Sequence, residues 1–111
     1  MYVSSGLWSF KSPNFPNKYP PNSYCVWEII DVRPSRMNLL SLRFRSFNIE
    51  YDYDCSYDSV TIYRDGSPGR RLCGQQHTST TWFASRSFKV VFRSDDSEQY
   101  SGFKAVFWRR K

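Results

Sequence analysis

Seven of the ten acidic residues gather in two short patches that hold no lysine or arginine. The first, Glu50, Asp52, Asp54 and Asp58, surrounds Cys55; the second is Asp95, Asp96 and Glu98. Outside them, 16 basic residues face only Glu28, Asp31 and Asp65, in a chain of net charge +6. Crowded carboxylates repel one another, and a hard divalent cation such as Ca²⁺ removes that penalty by taking their oxygens as ligands. Glu50 follows the alternating residues Phe47 and Ile49, Asp58 precedes another alternating run, and Asp95 follows a third. If those three strand ends meet, Glu50, Asp58 and Asp95 converge, with Asp96 in reserve. Main-chain oxygens of the loop through Ser97 and Glu98 would then complete an oxygen shell. An EF-hand is excluded, because Asp52, Asp54 and Asp58 lack its central glycine and closing glutamate. Spacing alone favours a solvated acidic turn over an ion site.

The elements that must position these acids follow from a period of two. Cys25, Trp27 and Ile29 alternate with Val26, Glu28 and Ile30, and Leu40, Leu42 and Phe44 with Ser41, Arg43 and Arg45. Val60 and Ile62, then Phe88, Val90 and Phe92, then Phe103, Ala105 and Phe107 repeat the pattern. Trp82-Phe83 and Leu7 to Phe10 supply two further strands. No apolar stripe recurs at helical spacing, so the expected fold is all-β, with antiparallel strands in a sandwich or barrel. Ser12 to Ser23 carries Pro13, Pro16, Pro20 and Pro21 and is expected to be an extended loop. Turns are expected at Arg33-Pro34-Ser35 and Asp65 to Gly69, and a polar loop from Gly74 to Ser79.

At 111 residues, with 40% hydrophobic and 19% aromatic content, the chain makes one domain with enough apolar area to offset its ordering entropy. No apolar run is long enough to span a membrane, and Met1 to Gly6 lacks the pattern of a signal peptide. Cys55 and Cys73 sit in polar, turn-like contexts that suit a disulfide, leaving Cys25 over. A disulfide framework places the protein outside the cell. The only histidine, His77, has no cysteine or acid beside it, so catalysis is not expected. Nucleic acid is a poor fit, since Ser87 to Phe92 lacks the glycines of an RNA-recognition motif. Arg43, Arg45, Lys89, Arg93 and Lys104, with the tail Arg109-Arg110-Lys111, make a basic field. That field fits a heparin-like glycosaminoglycan or an acidic partner, independently of calcium.

Ser12-Pro13-Asn14-Phe15-Pro16-Asn17-Lys18-Tyr19-Pro20 followed by Cys25-Val26-Trp27 resembles the opening signature of a CUB domain. Phe47-Asn48-Ile49-Glu50, Cys55 to Val60, Cys73-Gly74, Phe92 to Ser97 and Gly102-Phe103 resemble its later landmarks, in order. The resemblance covers nearly all of residues 1–111. It implies an antiparallel β-sandwich of jelly-roll type and a non-catalytic, extracellular protein-interaction module, secreted or part of an ectodomain. It also implies Ca²⁺ on Glu50, Asp58 and Asp95, with main-chain oxygens near Ser97 and Glu98. A partner's Lys or Arg would dock on Glu50 and Asp95 with help from Tyr57. The family's four cysteines pair first with second and third with fourth. Cys55 and Cys73 match the latter pair. Cys25 matches the second, and its expected partner is missing. Either the chain begins just inside the domain edge, or this member lacks that bridge.

Overall fold

The computed structural model describes residues 2–3, 7–31, 40–64, 69–76 and 82–109. The expected turn at Arg33 to Ser35, all but Gly69 of the expected turn at Asp65 to Gly69, and His77 lie outside the described residues. The described residues hold ten strands: β1 (Tyr2–Val3), β2 (Leu7–Lys11), β3 (Tyr24–Asp31), β4 (Leu40–Ile49), β5 (Ser59–Arg64), β6 (Arg70–Leu72), β7 (Gly74–Gln75), β8 (Trp82–Ser85), β9 (Ser87–Arg93) and β10 (Gly102–Arg109). They form two sheets. The first has the order β1-β3-β9-β5-β6; the second runs β2-β10-β4, with β8 and β7 both pairing the far edge of β4. All pairings are antiparallel except β1 with β3. Gly74-Gln75 is therefore a short strand on Asn48-Ile49, where a loop was expected. A two-residue strand lies below the length at which alternation can be read.

The period-two reading sets which side chains face inward. Leu40, Leu42, Phe44, Phe103, Ala105 and Phe107 come from one sheet, and Ile29, Val60, Ile62, Phe88, Val90 and Phe92 from the other; all are buried. Burying each of the Val, Leu, Ile and Phe side chains contributes on the order of 1.5–3 kcal/mol. The alternation slips once. A bulge pairs Lys104 with Ser46 and Ala105 with Phe44, making Arg45 the extra residue. Phe44 and Phe47 consequently both face the core, edge to face at 5.0 Å. Phe10 of β2 and Trp27 of β3 stack at 4.9 Å, linking strands of the two sheets.

The topology puts three loops at one end. Lys11 of β2 pairs with Lys104 and Asn48 of β4 with Gly102, while Tyr24 of β3 and Ser59 of β5 both pair with Arg93. The connections 12–23, 50–58 and 94–101 thus all cross between the sheets at that end. Gly102 anchors the crossing at φ +88°, and a Cβ there would collide with Ser12 Oγ. That hydroxyl accepts the Phe103 N–H at 3.0 Å, and the Ser12 N–H donates to the Phe103 carbonyl at 3.0 Å.

Candidate metal and recognition site

Each crossing loop supplies one part of the site. Asp58 immediately precedes β5 and is fully buried. Its Oδ1 accepts the Asp95 N–H at 2.8 Å, and its Oδ2 accepts the hydroxyl proton of Tyr19 at 2.5 Å. Tyr19, from the proline-rich loop, is 1% exposed and accepts the Glu50 N–H on the same hydroxyl at 3.2 Å. One tyrosine oxygen therefore ties the backbone at Glu50 to the carboxylate of Asp58, which in turn holds the backbone at Asp95. Main-chain bonds reinforce this frame: the Asn22 N–H to the Asp95 carbonyl at 2.8 Å, and the Ser94 N–H to the Ser23 carbonyl at 3.0 Å. The Ser97 N–H donates to Asp95 Oδ1 at 3.2 Å, closing an Asx turn.

Glu50, Asp58 and Asp95 each offer a carboxylate oxygen, and those oxygens all lie within 4.8 Å of one another. Burial is the main force raising the Glu50 carboxyl, with Asp58, Asp95, Glu98 and Asp52 adding repulsion, to about 7. Asp58 is also pushed up, chiefly by burial, against the opposing pull of its bonds from Tyr19 and the Asp95 amide. Glu50 Oε1 is buried and has no hydrogen-bond partner among the described residues. A buried, partnerless carboxylate oxygen beside two further carboxylates costs free energy unless a cation or proton meets it. The donors are all oxygens, with no thiolate or imidazole, which fits a hard ion of the Ca²⁺ type.

The other acids divide by role. Asp52 accepts the Ser56 hydroxyl at 2.6 Å and the Ser56 N–H at 3.2 Å, which lowers it to about 2. It shapes its own loop and is outside the converged set. Asp96, Ser97 and Glu98 are exposed on the 94–101 loop, with Glu98 at φ +62°. Cys55 and Cys73 form a disulfide across the acidic loop, and Cys25 is a free, partly buried thiol. Tyr57, Tyr51 and Tyr53 are 53%, 71% and 91% exposed around this end. The Tyr51 ring lies over Gly74, where a Cβ would meet it at 3.1 Å. Tyr19 is the member that the sequence reading overlooked as part of the site. An aromatic in a proline-rich loop carries no periodic signal, and its proximity to Asp58 arises only in the fold.

A jelly-roll sandwich with an acidic end under a disulfide-tethered loop defines a class of recognition module. The family model for the CUB domain matches residues 3–107, and the chain belongs to that family. It is 37% identical to human cubilin over 97% of its own length, but spans 3% of that protein. It is 33% identical to mouse tolloid-like protein 2 over 90% of its length, spanning 10% of it. Among solved structures, the CUB2 domain of MASP-1 bound to Ca²⁺ superposes with a TM-score of 0.78 at 27% identity, covering 99% of this chain and 96% of that one. The extracellular region of zebrafish Gpr126/Adgrg6 gives 0.84 at 27% identity, covering 99% and 14%. CUB domains are in general non-catalytic modules of extracellular proteins and ectodomains that mediate protein interactions. Among the described residues no helix is long and apolar enough to cross a membrane.

Proposed function

We propose that this domain is an extracellular protein-binding module whose recognition end is ordered by Ca²⁺ on Glu50, Asp58 and Asp95, with main-chain oxygens near Ser97 and Glu98. The observation that carries this reading is the partnerless, buried Glu50 Oε1 among three converged carboxylates. Bound there, the ion supplies the positive charge that the carboxylates lack. Tyr19 and the Asp95 amide hold Asp58 in place, so little ordering is left to do on binding. Lone pairs of Glu50 and Asp95 not taken by the ion would accept a Lys or Arg of the partner, with help from the exposed Tyr57. The Ca²⁺-bound MASP-1 domain, similar over nearly its full length, supports the assignment.

Calorimetric titration of CaCl₂ tests it directly. Wild-type protein should give a single-site isotherm and Asp58→Ala none. With Ca²⁺ present, an immobilised lysine-rich peptide should retain the protein and chelator should release it. A flat wild-type titration would remove the ion, and retention insensitive to chelator would remove the docking role.

A further inference from the structure

The outward face of the first sheet forms a basin unrelated to the carboxylate cluster. Strand pairing arranges its residues in rows. Tyr24, Arg93 and Ser59 form the row nearest the acidic end. Val26, Val91, Thr61 and Arg71 form the next, and Glu28, Lys89 and Tyr63 the third. The small side chains Ser59, Thr61 and Val91 lie in the middle, and Tyr24, Tyr63, Arg71, Lys89 and Arg93 stand around them, so the surface is concave there. Tyr24 and Tyr63 are 64% and 41% exposed. Adjacent strands lie about 4.8 Å apart, so the basin is roughly 14 Å wide from β3 to β6.

We propose that this basin binds a segment of sulfated glycosaminoglycan. Its charge is one-sided. Among the described outward positions of β3, β9, β5 and β6 the one acid is Glu28, and it lies in register with Lys89. Opposite charges so placed offset each other, which leaves Arg71 and Arg93 as the main source of positive charge. The Arg93 guanidinium lies 5.4 Å from the Tyr24 ring centre. A cation held near a ring face keeps its N–H fork available, and a guanidinium takes a sulfate through paired bonds. Ser59 and Thr61 offer hydroxyls to sugar hydroxyls, and the tyrosine rings offer flat apolar walls to the C–H faces of sugar rings. A polar, open floor with cations on the rim suits a repeating, anionic, hydroxylated chain better than a peptide, which needs apolar pockets for its anchors.

The test measures fluorescence anisotropy of a labelled, size-defined heparin oligosaccharide with chelator present. Wild-type protein should bind, with affinity falling as salt rises. The pair Arg71→Ala and Arg93→Ala should lose about tenfold or more, as expected when charge-assisted contacts are removed. Arg45→Ala with Lys104→Ala removes the same charge from the opposite sheet and should change affinity by less than about threefold, as a general field effect alone would give. Affinity of wild-type protein should be the same in chelator and in millimolar Ca²⁺, which separates this site from the Ca²⁺ reading. Melting curves of the arginine variants should match wild type. Equal losses from both double variants would reduce the basin to a nonspecific field and overturn the proposal. So would absence of binding, or displacement of the oligosaccharide by a sulfotyrosine peptide at lower concentration than by unlabelled heparin.

Discussion

Replacing Asp58 with asparagine separates the metal role of this residue from its structural role. Asparagine keeps the shape and an oxygen for the Asp95 N–H, and the Tyr19 hydroxyl can accept from its amide. One of three carboxylates within 4.8 Å is lost. At that separation each of the two pairs Asp58 makes, with Glu50 and with Asp95, repels by roughly 3 kcal/mol with an effective dielectric of 20. Against that relief stand two hydrogen bonds that become neutral, each weaker by about 1 kcal/mol, and the buried Tyr19 hydroxyl proton, left without its acceptor at about 1–3 kcal/mol. The relief matches or exceeds these costs, so the metal-free melting temperature should equal or exceed that of wild type. Adding Ca²⁺ to wild type at 100 times its dissociation constant stabilises the fold by about 2.7 kcal/mol. For a domain of this size that is roughly 10 °C. Differential scanning fluorimetry at pH 8, in chelator and in millimolar Ca²⁺, reads both quantities. Wild type should gain the increment and Asp58→Asn should not. An undiminished increment in the variant would refute the ligand assignment. A metal-free fall of roughly 10 °C or more would make Asp58 a structural anchor whose loss outweighs any relief of repulsion.

Three further perturbations test the frame around the site. Glu50 titrates near 7 in the fold against 4.5 ordinarily, so its contribution to metal-free stability is full below the lower value and is lost as pH rises through the upper one. Urea denaturation in chelator should show that decline between about pH 4.5 and 7, and Glu50→Gln should flatten it; Ca²⁺ affinity, measured separately, should climb over the same range because the ion displaces the proton. Tyr19→Phe strands Asp58 Oδ2 and the Glu50 N–H, which should cost about 1–3 kcal/mol in chemical denaturation; an unchanged midpoint would remove the tyrosine from the frame. Gly102→Ala should destabilise by more than about 1 kcal/mol, since it combines a collision at Ser12 with a left-handed backbone, and a neutral result by thermal melting would show that the strand end can shift.

Alternation is a local property, and it was sufficient to assign strand faces. Residues such as Phe88, Val90 and Phe92 face inward because successive side chains on a strand point to opposite sides, whatever the strand pairs with. The slip from Phe44 to Phe47 was also present in the pattern, although only the pairing with β10 shows it as a bulge at Arg45. The crowding of acids at Glu50, Asp58 and Asp95 was legible as types and positions, and the cysteine contexts pointed to the bridge that the fold contains.

What the chain could not carry locally is the meeting of distant residues. Asp58 lies 39 positions from Tyr19 and 37 from Asp95, and no periodicity couples such separations. Their approach depends on strand order, which follows from how the two sheets bury their apolar faces together and which loops must then cross the same end. The basin of Tyr24, Arg71 and Arg93 has the same origin, since β3, β9, β5 and β6 become neighbours only in the sheet. Residue order alone sets the kinds of side chain available and the face each strand turns inward. The tertiary structure decided which of them stand close enough to share an ion, a proton or a ligand, because electrostatic and hydrogen-bonding interactions act through space and not along the chain.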